Sequence, residues 1–287
     1  MDIGIGLPNT IPGATGAQLL DWARRADQAG FSTLGTIGAV SYPGYEELTV
    51  LAAAGAVTSR IRLMPNVLIA PARSTAELAK QAATVDQLSG GRLILGFGVG
   101  WREADFGLTG KDFHRRGHLF DDQLRDLQRA WAGEAILEGT RPVSPPPVQQ
   151  PGVPIVIGGT TDATIRRTVE IGTGWTAGGL PPDVVAPFVE KVQSAWREAG
   201  REGRARIFAL VYFSLGNTVE QSRNSLLDYY APMGDEVAEM VAGSALRSEE
   251  AIAGAVEAYA DAGVDELILD PTVPDPTQVD LLAKVVF

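Results

Sequence analysis

Short, continuously apolar runs alternate along the chain with longer segments whose apolar residues recur at helical spacing. Residues 3–7 read as a strand, and residues 18–29 follow with Leu19, Leu20, Ala23 and Ala26 on one helical face, closed by Gly30. The same alternation predicts further strands over 31–36, 61–69 (interrupted by Pro65), 92–97, 154–157, 174–177, 206–215 and 266–269. Helices are predicted over 46–58, 75–88, 113–131, 162–171, 184–199, 219–241 (with a break near Pro232-Met233-Gly234), 249–262 and 279–286. Strict strand–helix alternation implies parallel strands with helices outside. The strands are apolar on both faces more often than they alternate, as burial on both sides requires. Eight units predict a (β/α)8 TIM barrel with insertions rather than a doubly wound open sheet. No linker separates the halves, so residues 1–287 read as one domain. Residues 133–151, with Pro142, Pro145, Pro146, Pro147 and Pro151, form an extended excursion.

Composition narrows the chemistry. The chain has no cysteine, which excludes disulfides, thiolate metal sites, iron–sulfur clusters and cysteine nucleophiles. A net charge of −11 argues against a duplex nucleic-acid partner. No run reaches the ~18 apolar residues of a membrane span. No basic N-terminal stretch precedes an apolar one, so the expected location is the cytoplasm.

In a barrel, chemistry sits at the C-terminal ends of the strands. No lysine stands at any of these ends, so a Schiff-base aldolase lacks its nucleophile. Asp270 is the one acid at a strand end, with Glu103 and Asp105 just beyond strand 4, which gives no carboxylate pair for glycoside hydrolysis. His114 and His118 are four residues apart, but no acid completes a metal set, and a solvated helix start explains them better. What the ends do carry is glycine. Gly158-Gly159-Thr160-Thr161 follows a strand and opens a helix, a turn that aims N–H donors and the positive helix end at an anion such as phosphate; a plain tight turn with a threonine cap is the competing reading. Gly96-x-Gly98-x-Gly100-Trp101 is not a dinucleotide fingerprint: its third spacing is wrong and no helix is expected promptly after it. A crowded barrel floor also accounts for those glycines, and Trp101 either stacks on a planar ligand or caps the mouth. A mouth poor in acids, bases and metals but rich in open backbone suits a protein that borrows its chemistry from a planar, phosphate-bearing cofactor.

Five stretches resemble the bacterial luciferase-like superfamily of flavin- and deazaflavin-dependent oxidoreductases. They are Trp22-x-Arg24-x-Ala26-x-x-x-Gly30-Phe31; Ala79-Lys80-Gln81-Ala82-Ala83-Thr84-x-Asp86 with Leu88-Ser89-Gly90-Gly91-Arg92; Leu95-Gly96-x-Gly98-Val99-Gly100-Trp101; Arg116-Gly117 to Asp121-Asp122 with Leu127 and Trp131; and Pro146-Pro147-x-Gln149 leading to Pro154-Ile155-x-Ile157-Gly158-Gly159 and Gly174-Trp175. Residues 181–245 match only in rhythm. The resemblance implies a barrel, often dimeric, that binds reduced FMN or the deazaflavin coenzyme F-420 across its mouth. By the same resemblance Gly158, Gly159 and Thr160 hold the phosphate. Asn66, Val67, Gly98, Gly100, Trp101, Ile157, Ala177 and Gly178 line the rest of the cofactor. A non-proline cis peptide is expected at Asn66–Val67.

Two departures stand out. Many members carry Asp-His at the end of strand 2, where this chain has Thr36-Ile37. The sugar-phosphate dehydrogenase branch carries a catalytic Glu where this chain has Trp101. The proton-handling group is therefore unassigned, with Tyr42, Glu103 and Tyr212 as candidates by position. The expected activity is hydride transfer with F-420, or monooxygenation with reduced FMN, on a small organic substrate. The alternative is a non-catalytic cofactor-binding barrel that has lost the strand 2 histidine. A sugar-phosphate lyase or isomerase would need a Lys, His or Glu that no strand end supplies.

Overall fold

The computed structural model describes residues 1–287. Its centre is nine parallel strands: β1 (Asp2–Gly6), β2 (Thr33–Thr36), β3 (Arg62–Pro65), β4 (Leu68–Ile69), β5 (Leu95–Gly98), β6 (Ile155–Gly158), β7 (Gly174–Thr176), β8 (Arg206–Phe213) and β9 (Glu266–Pro271). Around them lie α1 (Gly16–Ala29), α2 (Glu47–Ala56), α3 (Thr75–Ser89), α4 (Glu103–Leu108), α5 (Arg116–Trp131), α6 (Asp162–Glu170), α7 (Pro182–Glu198), α8 (Val219–Tyr230), α9 (Asp235–Ser244), α10 (Glu249–Asp261) and α11 (Thr277–Val286). The hydrogen-bonded order is β3-β2-β1-β9-β8-β7-β6-β5-β4. Both ends of that series belong to one stretch of chain: β3 pairs with β2, and β4 pairs with β5. Leu63 joins the ends, its N–H donating to the Arg92 carbonyl (3.0 Å) and its carbonyl accepting from the Ile94 N–H (2.8 Å). The nine strands are thus eight staves, the third interrupted at Asn66–Val67, whose peptide is cis as the resemblance implies. The expected TIM barrel is the fold the chain adopts.

Alternation along the strands builds two separate cores. Residues such as Ile5, Leu34, Leu63 and Leu95 face the helices within a cluster of 54 buried residues. Inward-facing Met64, Val156, Phe208 and Ile268 fill the barrel itself. Below them the fully buried Glu266 accepts from Arg206 (2.8 Å) and Arg62 (3.1 Å). This charged cluster lies across the N-terminal end of the barrel, opposite the end where barrel chemistry sits.

Local chemistry sets the element ends. Thr15 and Gln18 form a reciprocal capping box at the start of α1, and Gly30 ends that helix at φ 101°. The break expected near 232–234 separates α8 from α9, with Gly234 at φ 91°. The excursion at 133–151 contains no helix or strand. It is laid onto α3 by the buried carboxylate of Asp86, which accepts from Val148 N–H (2.8 Å), Gln149 N–H (3.1 Å) and the Gln149 side-chain amide (2.7 Å). One reading is corrected: a helix does follow the Gly96–Gly100 glycines promptly, since α4 begins at Glu103. Six residues span too little of the 3.6-residue period for the pattern to show it. No helix is long and apolar enough to cross a membrane.

A candidate cofactor pocket at the barrel mouth

Where the strands end, a cavity of about 380 Å³ opens. It lies within the size range of small-molecule sites. Nine of the eleven residues expected to touch a cofactor line it: Asn66, Val67, Gly98, Gly100, Trp101, Gly158, Gly159, Ala177 and Gly178. The other two stand apart. Ile157 is wholly buried and points into the helix-facing core, because its neighbour Gly158 takes the inward position. Thr160 is exposed beyond the rim.

The glycines are there for space. A Cβ on Gly98 would lie 2.7 Å from Val67 Cγ2, and one on Gly158 would lie 3.1 Å from Val67 Cγ1. Both strands are therefore held against the Val67 side chain, which becomes a central support of the cavity wall. Deeper in, a Cβ on Gly96 would lie 2.2 Å from the Pro65 carbonyl, so crowding alone explains that residue. Gly100 and Gly159 adopt φ 76° and 118°, conformations that other residues rarely take. On the floor, Thr176 Oγ1 lies 2.9 Å from Asn66 Oδ1, while Asn66 Nδ2 is a buried donor without a partner. At the rim the N–H groups of Gly159, Thr160 and Thr161 make no backbone hydrogen bond. The buried Trp175 indole N–H donates to the Gly159 carbonyl (2.7 Å), which fixes the turn from behind and leaves its N–H groups available at the start of α6. The two arginines of α6 nearest this turn, Arg166 and Arg167, are both engaged by Asp121 (2.9 and 2.7 Å). Anion contact there falls to backbone donors. An orphaned amide on the floor, a glycine-rich wall packed on Val67 and free N–H groups at the rim fit a planar ring with a phosphate-bearing tail.

The three candidate proton-handling residues separate. Tyr212 lines the cavity. Tyr42 lines a neighbouring cavity of about 640 Å³ between the β2 loop and α2–α3, its hydroxyl donating to Asp228 (2.5 Å). Glu103 is exposed at the first turn of α4 and lines neither. At the position where many relatives place His, Ile37 presents an apolar side chain to the cavity.

Three residues that the sequence did not single out, Tyr229, Tyr230 and Arg102, complete the mouth, and Asp270 lies buried behind it. Tyr229 and Tyr230, the last residues of α8, line the cavity. Arg102 is buried and makes no salt bridge; its guanidinium lies over Trp101 (4.4 Å) and Tyr229 (4.6 Å) and donates to the Tyr229 carbonyl. Cation–π contact thus ties the loop after β5 to the end of α8. Asp270 is buried beside Gly6, where a Cβ would sit 1.8 Å from Asp270 Oδ1. That oxygen has no hydrogen-bond partner, and burial pushes the carboxyl well above the ordinary carboxylate range. The Tyr-Tyr doublet just before a Pro-marked helix break was the available signal for α8. Nothing local marks Arg102.

An eight-stave barrel with a glycine-rich cavity where its strands end places the chain among the α/β barrels built to hold a small molecule at the mouth. The model of the luciferase-like monooxygenase family matches residues 1–280, and the chain belongs to that family. An uncharacterised protein of Mycobacterium tuberculosis is 33% identical over 168 residues, covering 56% of this chain and 59% of that relative. The match thus spans little more than half the relative's length. A second protein of the same organism, named for coenzyme F-420-dependent oxidoreduction, is 28% identical over 195 residues, covering 61% of this chain and 53% of its own. Among solved structures, the monooxygenase RslO1 from Streptomyces bottropensis superposes with a TM-score of 0.81 at 21% identity, covering 100% of this chain and 98% of that one. An F-420-dependent secondary alcohol dehydrogenase in complex with an F-420–acetone adduct gives 0.81 at 15% identity, covering 99% and 98%. These structures share the fold.

Proposed function

We infer that the protein is a redox enzyme that holds coenzyme F-420 in the mouth cavity and uses it on a small organic substrate. The observation that carries this reading is the pairing of a slot walled by Gly98, Gly100, Gly158 and Val67 with the unpartnered N–H groups of Gly159, Thr160 and Thr161. Such a site takes a flat ring and a phosphate. When bound, a deazaflavin supplies two-electron hydride chemistry. The chain's own part is to support the ring on Val67, to present the Asn66 amide to its polar edge, to bind the phosphate by backbone donors and to exclude water with Trp101, Tyr229 and Tyr230. The relative named for F-420-dependent oxidoreduction supports the choice of cofactor. Family resemblance also gives a homodimer as the expected assembly, which light scattering measures.

Titration of the purified protein with F-420 and, separately, with FMN, followed by fluorescence, tests the reading. F-420 is expected to bind the more tightly of the two; FMN binding with no F-420 binding would instead make the protein a flavin-dependent monooxygenase. Gly159→Asp adds a carboxylate at the phosphate turn and a Cβ 2.8 Å from Thr164 Oγ1. We expect it to weaken cofactor binding by at least about tenfold. Unchanged affinity in a variant that melts like the parent removes the phosphate assignment.

A further inference from the structure

The missing strand 2 histidine leaves open what handles the proton. Two pocket residues answer together. Tyr212, on the inner face of β8, and Tyr230, at the end of α8, bring their hydroxyls to 2.8 Å. Neither hydroxyl has another partner in the structure. A pair of phenols uses one hydrogen between its members, so one O–H remains free to donate.

We propose that the Tyr212–Tyr230 pair is the substrate-oxygen site of this enzyme: it donates a hydrogen bond to the oxygen of a small carbonyl compound and delivers the proton that oxygen takes up. This assignment rests on the redox reading above. As the carbonyl carbon gains a hydride from a reduced donor of the flavin or deazaflavin class, the C=O π pair moves onto oxygen and takes the Tyr212 proton. Tyr212 Oη then takes the Tyr230 proton, and solvent restores Tyr230. The carbonyl is reduced to an alcohol, and the donor is oxidised.

Surroundings keep both hydroxyls protonated. Tyr212 stands in register with Asp270 on β9, whose carboxyl burial pushes well above the ordinary carboxylate range. Burial pushes the Tyr212, Tyr229 and Tyr230 hydroxyls upward; the hydrogen bond between Tyr212 and Tyr230 adds to this for Tyr212 and opposes it for Tyr230, as the Arg102 guanidinium does for Tyr229 and Tyr230. The pair is therefore a donor at neutral pH and not a base. The Arg102 clamp on Tyr229 holds the adjacent Tyr230 in place through the backbone.

The test uses 4-nitrophenol, whose absorbance reports its ionisation, with purified protein and no cofactor. Wild type is expected to bind the probe with its phenolate band enriched below the probe's own pKa. Tyr212→Phe should lose at least about tenfold in affinity and lose the enrichment, as removal of an oxyanion donor does. Tyr230→Phe should lose less, and Tyr259→Phe, whose hydroxyl bonds the Leu180 carbonyl, should match wild type. Absence of probe binding, or equal affinity in wild type and both pocket variants, overturns the assignment. Tyr212-dependent probe binding in a protein that takes neither F-420 nor FMN would leave the oxygen site standing and sink the cofactor reading. Cofactor binding in a protein whose probe affinity does not depend on Tyr212 would do the reverse.

Discussion

Asp270 is the single acidic side chain at a strand end, and the barrel gives it neither a cation nor a hydrogen bond to Oδ1. Unfolded, an aspartate loses its proton near pH ~3.9. Folded, burial holds the proton on to well above that range. Between those two values the folded chain binds the extra proton, so its stability falls as pH rises; below the unfolded value the cost disappears. Asp270→Asn removes this dependence at almost constant shape. The variant is expected to melt higher than wild type at neutral pH, by about 2–4 °C for each kcal/mol relieved. That advantage should shrink to nothing below about pH 4. A variant that melts lower than wild type at neutral pH would mean that Asp270 is ionised and paired. Sequence alone located Asp270 at a strand end and placed Tyr212 among the candidates. It had no means to tell that Asp270 Oδ1 lacks a partner or that Tyr230 meets Tyr212, because both depend on packing between distant parts of the chain.

At the scale of elements, the alternation of apolar runs was enough to read every stave, since burial on both faces leaves strands few polar interruptions. Short pieces escaped. The six residues of α4 carry too little periodicity, and the role of α8 as a wall depends on a long-range contact with Arg102 that no local pattern encodes. The excursion at 133–151 was legible as an interruption, but its attachment was not. Three donors converge on Asp86, a residue with no solvent exposure. Hydrogen bonds to a charged group contribute about 1.5–3 kcal/mol each, although shared acceptors do not add fully. Asp86→Ala is expected to cost about 3 kcal/mol in urea unfolding and to speed proteolysis within 133–147. Protection of that segment equal to wild type would show that its prolines, not Asp86, hold it.

For the whole molecule, a net charge of −11 opposes an anionic ligand that the mouth nevertheless fits. Backbone N–H groups act at hydrogen-bond contact, about 3 Å, whereas the net field acts over the Debye length, about 30 Å at 0.01 M salt and about 8 Å at 0.15 M. Added salt should therefore screen the repulsion first. The association rate of F-420 is expected to rise severalfold across that range, the reverse of ordinary steering between opposite charges. Stopped-flow fluorescence measures it; a rate that falls with salt would reveal a local positive funnel that outweighs the net charge.

The glycine slot has a bearing on how this protein is studied and how it can change. On the side formed by β5 and β6, the cavity wall is backbone at Gly98 and Gly158 packed on the side chain of Val67. Alanine scanning, which works by deletion, passes over such a site: it has little to delete at Gly98, Gly158 or Gly178. The informative library runs the other way, inserting one methyl at a time. By the same logic, a change of side chain at the rim, at Ile37 for instance, leaves a wall made of backbone in place.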